Sequence, residues 1–221
     1  YWNNLARTYV GTNNEKYAEA FGSQMRNWLT QSALATKDTW RTIECGLRLG
    51  GPWLVAFDGF KKSPSIDDMT LVLMVAAMHA QSTYITRNYS SGNWLMMEMN
   101  GVFCFSAMFD EFTDSEPNRP YVEQRMLSDV KAQVLADGMQ YELSPDYHWV
   151  TLYNALNFCS LSKSLGYSVD EELLGILRNM INAAILLSTP ALTQPSTNDT
   201  YTKKTPEYIA QKAIDVLGNL P

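Results

Sequence analysis

Apolar residues recur at intervals of three and four along almost the whole chain, and no stretch of more than a few residues alternates as a half-buried strand would. The pattern predicts about nine helices of about 10 to 20 residues each. The first two cover about 2–10 and 15–31, the second with Tyr17, Ala20, Phe21, Met25, Trp28 and Leu29 on one face. A third follows Asp38 or Thr39 and carries Trp40, Ile43, Leu47, Trp53, Leu54 and Phe57. Gly50-Gly51-Pro52 should kink or split it. The fourth is expected to open at the capping box Ser65-Ile66-Asp67-Asp68 and run to about Arg87. It is apolar nearly all round, which predicts a buried helix. Two more follow over about 93–109 and 119–136. Ser144-Pro145 opens a seventh, a cap followed by proline at the first helical position, and Gly166 closes it. A second capping box, Ser168-Val169-Asp170-Glu171, opens the eighth, which runs to about Leu187. A polar loop over Ser188–Lys204 precedes a last helix from Thr205-Pro206 to near Gly218.

Short connections make successive helices antiparallel neighbours. A long series of such hairpins closes into a ring or curves into a solenoid. No repeat of fixed period is visible, which weighs against the solenoid. The expected fold is therefore all-α, an incomplete α/α toroid of helical hairpins forming a single domain over residues 1–221. A chain of 221 residues has room for a proper core. Eleven Met and twelve Tyr suit a Met-filled interior with aromatic surfaces at a groove. The formal net charge of −6 argues against a general nucleic-acid binder, yet leaves room for an acidic ligand held by a local group of Arg and Lys. Cys45, Cys104 and Cys159 lie in apolar stretches without metal spacing and read as buried small hydrophobes. The longest apolar run, Leu71 to Ala80, is too short to span a membrane. The chain starts at Tyr1-Trp2 without an initiator Met and reads as a mature or excised piece, so the missing leader is uninformative.

No His or Cys pair stands at ligand spacing, and there is no phosphate loop or GxSxG elbow. No metal or cofactor is expected in this domain. His79 reads as a satisfied core or groove histidine. The carboxylate pairs Asp67-Asp68, Asp110-Glu111 and Glu171-Glu172 read as solvated helix ends. Glu44, Glu98 and Glu142 sit among apolar or loop residues and are candidates for supporting contacts. Two loop-to-helix junctions carry more chemistry. One is Arg87-Asn88-Tyr89-Ser90-Ser91-Gly92-Asn93-Trp94; the other runs from Asp137-Gly138 through Glu142-Leu143-Ser144-Pro145-Asp146-Tyr147-His148. Each sets polar groups on a first helical turn, where unpaired N–H groups and the helix dipole favour anions. Two such ends could frame a cleft for an acidic ligand. Trp94, Tyr89, Tyr141 and Trp149 offer flat faces to sugar rings or to a core. On residue type alone, Asn93 is an N-cap and Tyr147 a surface tyrosine.

Trp40-Arg41-Thr42-Ile43-Glu44-Cys45-Gly46-Leu47-Arg48 and the two junctions, in this order, resemble the N-terminal helical domain of the heparinase II/III superfamily of polysaccharide lyases. Glu142-Leu143-Ser144-Pro145-Asp146-Tyr147-His148 is the most specific piece, and the likeness is greatest to the heparinase III-type heparan sulfate lyases. The resemblance implies an α/α toroid followed by an antiparallel β-sandwich domain of the same polypeptide, secreted or periplasmic and bacterial, cleaving uronate-containing chains by β-elimination. It implies that Asn93 neutralises the uronate carboxylate and that Tyr147 protonates the departing glycosidic oxygen. Arg87, Tyr89, Trp94, His148, Glu98, Arg41 and Arg48 are the further substrate-binding candidates, with His148 or Arg87 as the cation that would tune Tyr147. Some relatives carry His after the Asn; Trp94 stands there here, which favours the heparinase III-like branch. The family's other catalytic histidine lies in the β-domain, as would any metal. Residues 1–221 alone are therefore expected to fold without turnover. Other readings are a lyase for alginate or another uronate polymer, a toroid glycoside hydrolase, and a non-catalytic glycan-binding module.

Overall fold

The computed structural model describes residues 1–32, 39–201 and 207–218. Ten helices occur among them: α1 (Trp2–Thr12), α2 (Lys16–Ser32), α3 (Thr42–Leu49), α4 (Pro52–Phe60), α5 (Asp68–Asn88), α6 (Gly92–Met108), α7 (Ser115–Gln133), α8 (Pro145–Ser164), α9 (Glu171–Leu187) and α10 (Glu207–Leu217). An isolated antiparallel bridge between Val134 and Gln140 is the one β feature of the described residues. The expected third helix is two helices, since Pro52 at the first position of α4 cannot continue the hydrogen-bonding of α3. Asp38 and the Thr205-Pro206 start lie outside the described residues.

The chain divides into two compact units, Tyr1–Tyr89 with Gly101–Asn118, and Ser90–Asn100 with Arg119–Pro221. In the first, α1 packs on α2 and α4, and α5 on α2 and α3. Its centre is aromatic. Phe21 stacks on Phe60 with ring centroids 4.5 Å apart, Trp2 meets Phe21 edge-on at 5.3 Å, and Trp28 meets Trp53 edge-on at 4.6 Å. The C-terminal half of α6 crosses α3 so closely that a Cβ on Gly101 would lie 2.5 Å from the Gly46 carbonyl oxygen. Only glycine permits that approach.

The fourth predicted helix needs two corrections. Asp67, not Ser65, is its N-cap: Asp67 accepts the Thr70 amide at 2.8 Å and the Thr70 hydroxyl at 2.7 Å. Nor is α5 buried all round. Met74, Met78, Gln81, Ser82 and Ile85 form one buried face, whereas Met69, Val72 and Leu73 on the other are exposed.

In the second unit α8, α9 and α10 pack on one another. Leu152, Leu156, Phe158 and Cys159 of α8 are buried, as are Leu177, Met180 and Ile181 of α9 and Ile209 and Val216 of α10. Helix α8 opens at Ser144 and Pro145 as expected. It closes as expected too: Gly166 sits at φ +80° while the Tyr167 amide returns to the Ser162 carbonyl at 2.9 Å. At α9 the N-cap is Asp170 instead of Ser168, its carboxylate accepting the amides of Glu172 and Leu173.

Candidate functional site

Both junctions belong to the second unit from Ser90 onward, and they meet there. Gly92 opens α6 at φ +64°, and a Cβ at this position would lie 2.9 Å from the Tyr141 hydroxyl. Asn93 follows on the first turn and is only 8% exposed. Its Nδ2 donates to Glu142 Oε1 at 2.8 Å across 49 residues of sequence. Asn93 Oδ1, equally buried, accepts no hydrogen bond. One turn further along α6, fully buried Glu98 accepts the Ser90 amide at 2.8 Å and the Ser90 hydroxyl at 2.7 Å, holding the loop against its own helix.

The second junction folds as a tight return after α7. Gly138 at φ +89° turns the chain, the Leu135 amide donates to the Met139 carbonyl at 2.8 Å, and the Tyr141 amide donates to the Gln133 carbonyl at 2.7 Å. A Cβ on Gly138 would meet the Asn179 carbonyl oxygen at 2.4 Å. Gln140 is fully buried. Its Nε2 donates to Glu142 Oε1 at 2.8 Å and to Gln133 Oε1 at 3.2 Å, while its Oε1 accepts the Glu142 amide at 3.0 Å. Gln133 in turn donates to Asp129, which also accepts the Gly92 amide at 3.3 Å. Burial pushes the Asp129 carboxyl above its ordinary range, and the Glu98 charge adds to that.

Tyr147 is half-buried on the first turn of α8, its amide facing the capping Ser144 oxygen. Among the described residues its phenol has no hydrogen-bond partner. The loop before α10 straps this turn in place. Thr200 Oγ1 lies 2.7 Å from Ser144 Oγ and accepts the Asp146 amide at 3.3 Å, and the Asn198 side chain donates to the Glu142 carbonyl at 2.8 Å.

Several sequence candidates have other employment. His148 is 1% exposed. Its Nδ1 accepts the Gln140 amide at 3.3 Å, and its Nε2 donates to the Met180 carbonyl at 3.0 Å. Burial lowers its pKa to about 4, so it is neutral near pH 7 and supplies no cation to Tyr147. Its work is to hold the Gln140 backbone. Trp149 is buried and offers no face to a sugar, unlike Trp94 and Tyr141, which are exposed. Arg41, Arg48, Arg87 and Tyr89 belong to the first unit. Arg41 pairs with Glu44. Arg48 donates to Gln81 at 2.6 Å and to the Thr39 carbonyl, with its guanidinium over Trp28 and Trp53 at 5.3 and 5.7 Å, so it serves that unit's core. Arg87 is exposed. His79 lies 3.1 Å from Asp114 and stacks on Phe112 at 4.3 Å, a satisfied groove histidine.

The sequence reading missed Gln133, Gln140 and Asp129. A signal for the first two was present: Asp137-Gly138 is a hairpin-turn dipeptide, which sets residues before it opposite residues after it. Among the described residues, no group of three or more His, Cys, Asp or Glu side chains could hold a metal ion.

Comparison with known proteins agrees with the motifs. The chain is 29% identical over 213 residues to the heparin-sulfate lyase of Pedobacter heparinus, covering 91% of this chain and 32% of that protein. With the heparin-sulfate lyase of Bacteroides stercoris it shares 25% identity, covering 88% and 33%. The chain thus spans about a third of the length of these relatives. The crystal structure of heparan sulfate lyase HepC from Pedobacter heparinus superposes with a TM-score of 0.75 at 26% identity, covering 100% of this chain and 38% of that one. A crystal structure of heparinase III matches in fold at a TM-score of 0.88 and 18% identity, covering 97% and 35%. These matches establish the fold class, an all-α incomplete toroid of helical hairpins. The family model for the heparinase II/III N-terminus spans residues 1–216, and the chain belongs to that family.

Proposed function

We propose that this chain is the helical, substrate-binding part of a secreted or periplasmic bacterial lyase that cleaves a heparan sulfate-like glycosaminoglycan by β-elimination. The observation that supports this best is the Asn93–Glu142 hydrogen bond, which ties the loop carrying Asn93 to the loop leading into Tyr147. The C5 proton of a uronate is barely acidic, because its loss places charge beside a carboxylate. Asn93 has a second N–H to give the uronate carboxylate and so stabilises the enolate-like intermediate. The C4–O bond then breaks, its electrons leave with the oxygen, and the C5 electron pair becomes the C4–C5 double bond. Tyr147 donates its phenolic proton to the departing oxygen. The C5 proton goes to a base that family resemblance assigns to a histidine of the β-sandwich domain. Trp94 and Tyr141 offer exposed aromatic faces to the sugar chain.

The test is the ultraviolet absorbance of unsaturated product when the full-length polypeptide meets heparan sulfate. Tyr147→Phe should slow product formation by about 100-fold or more while binding persists. Asn93→Ala should raise KM and lower kcat together, since its contact exists in the bound state and strengthens as charge develops. Saturated products, or near-normal turnover by Tyr147→Phe, would refute the reading.

A further inference from the structure

Asn93 can assist elimination only if its carboxamide presents nitrogen, not oxygen, to the uronate. The two faces of an amide are nearly the same shape, so packing alone does not choose between them. Hydrogen-bond polarity does. A carboxylate only accepts, and any amide beside it must turn its NH2 toward it. The second unit holds a run of three side-chain amides anchored at carboxylates. Asp129 accepts from Gln133 Nε2, which leaves Gln133 Oε1 to accept from Gln140 Nε2. The other hydrogen of Gln140 Nε2 goes to Glu142 Oε1, and Gln140 Oε1 takes the Glu142 amide, so one buried glutamine grips Glu142 by both backbone and carboxylate. Every polar atom of the Gln140 side chain is satisfied by these bonds. Glu142 Oε1, thus fixed, meets Asn93 Nδ2 at 2.8 Å, and Asn93 Oδ1 is left buried and without a partner. Turning the amide over would set oxygen against oxygen at the carboxylate. The orphaned oxygen is the mark of that constraint: the polarity of Glu142 is obeyed even though Oδ1 goes unpaired.

Building on the function proposed above, we infer that Glu142 is a positioning residue that fixes the amide orientation of Asn93 and so makes the site selective for a carboxylate. Glutamine at position 142 can donate as well as accept. Asn93 could then turn over and direct its oxygen at the uronate.

The experiment measures binding without turnover, using full-length Tyr147→Phe and the double variant Tyr147→Phe/Glu142→Gln. Each is titrated with heparan sulfate and with the same polymer after reduction of its uronate carboxyls to alcohols. The Tyr147→Phe parent should prefer the native polymer. Glu142→Gln should lower that preference by about tenfold while affinity for the reduced polymer and the melting temperature stay near the parent's. Glu142→Asp, which keeps an acceptor-only group, should retain most of the preference. Retention of the full preference by Glu142→Gln overturns the inference. So does an equal loss for both polymers, or an equal loss in the Gln and Asp variants, either of which marks Glu142 as merely structural. A parent with no preference for the native polymer refutes instead the assigned role of Asn93, on which this inference stands.

Discussion

The two units share apolar packing but differ in what surrounds their most enclosed polar side chains. The first has an aromatic centre, where Phe21, Phe60, Trp2 and Trp53 lie within about van der Waals reach and even Arg48 is spent on covering indoles. The second surrounds Asn93 with amides and carboxylates, the buried Gln133, Gln140 and Glu98 and the partly buried Asp129 and Glu142. Apolar packing has no direction and tolerates small displacements. A hydrogen-bonded network fixes orientation, at the risk that each member lost leaves another buried group unpaired. The second unit, whose α8, α9 and α10 also share an apolar core, adds the second kind around Asn93.

Substitutions should separate these two kinds of centre. Phe21→Ala in the first unit removes a fully buried ring and should destabilise the fold by about 3–5 kcal/mol in urea denaturation. The next effect belongs to His148 and appears with pH. Its folded pKa of about 4 lies below the unfolded value near 6.5, so the unfolded chain binds the proton first. Stability is therefore full above about pH 6.5 and falls as the pH drops toward 4, by an amount on the order of 3 kcal/mol. In a variant carrying Gln at 148 the slope of stability over that window should flatten. Tyr147→Phe sharpens the contrast from the other side. It removes one half-exposed hydroxyl, so its melting curve should shift by about 1 kcal/mol or less even as turnover collapses.

Much of the fold was legible because helices advertise themselves twice, through periodicity and through their ends. Gly50-Gly51-Pro52 marked a real break, and Ser144-Pro145 and Gly166 marked the true ends of α8. The two capping boxes were misplaced for one reason. In each, a Ser stood two residues before an Asp, both are good caps, and sequence alone does not say which one the first turn reaches. A pair of small effects tests this directly: Asp170→Ala should cost about 1 kcal/mol and Ser168→Ala close to nothing, by denaturation of each variant. Asn93 and Tyr147 stood out in sequence because motif and chemistry coincide there. That His148 and Trp149 are enclosed, and that Arg48 is engaged by Gln81 and two indoles, was not legible, because burial is a tertiary fact and polar or aromatic side chains look alike in sequence whether they face solvent or a core. Gln133 and Gln140 carry no mark of their pairing in composition or period; the turn at Gly138 brings them together.

That turn also works as a ruler. In extended backbone, neighbouring side chains point to opposite sides, and here Gln140 is fully buried while Tyr141 is half exposed. Adding or deleting one residue between Gln133 and Gln140 would exchange the two, driving a phenol into the space of an amide and swinging Glu142 away from Asn93. Information about the site thus resides in a count of residues as much as in their identities. Natural length variation among relatives should avoid this short segment and collect in loops that measure nothing.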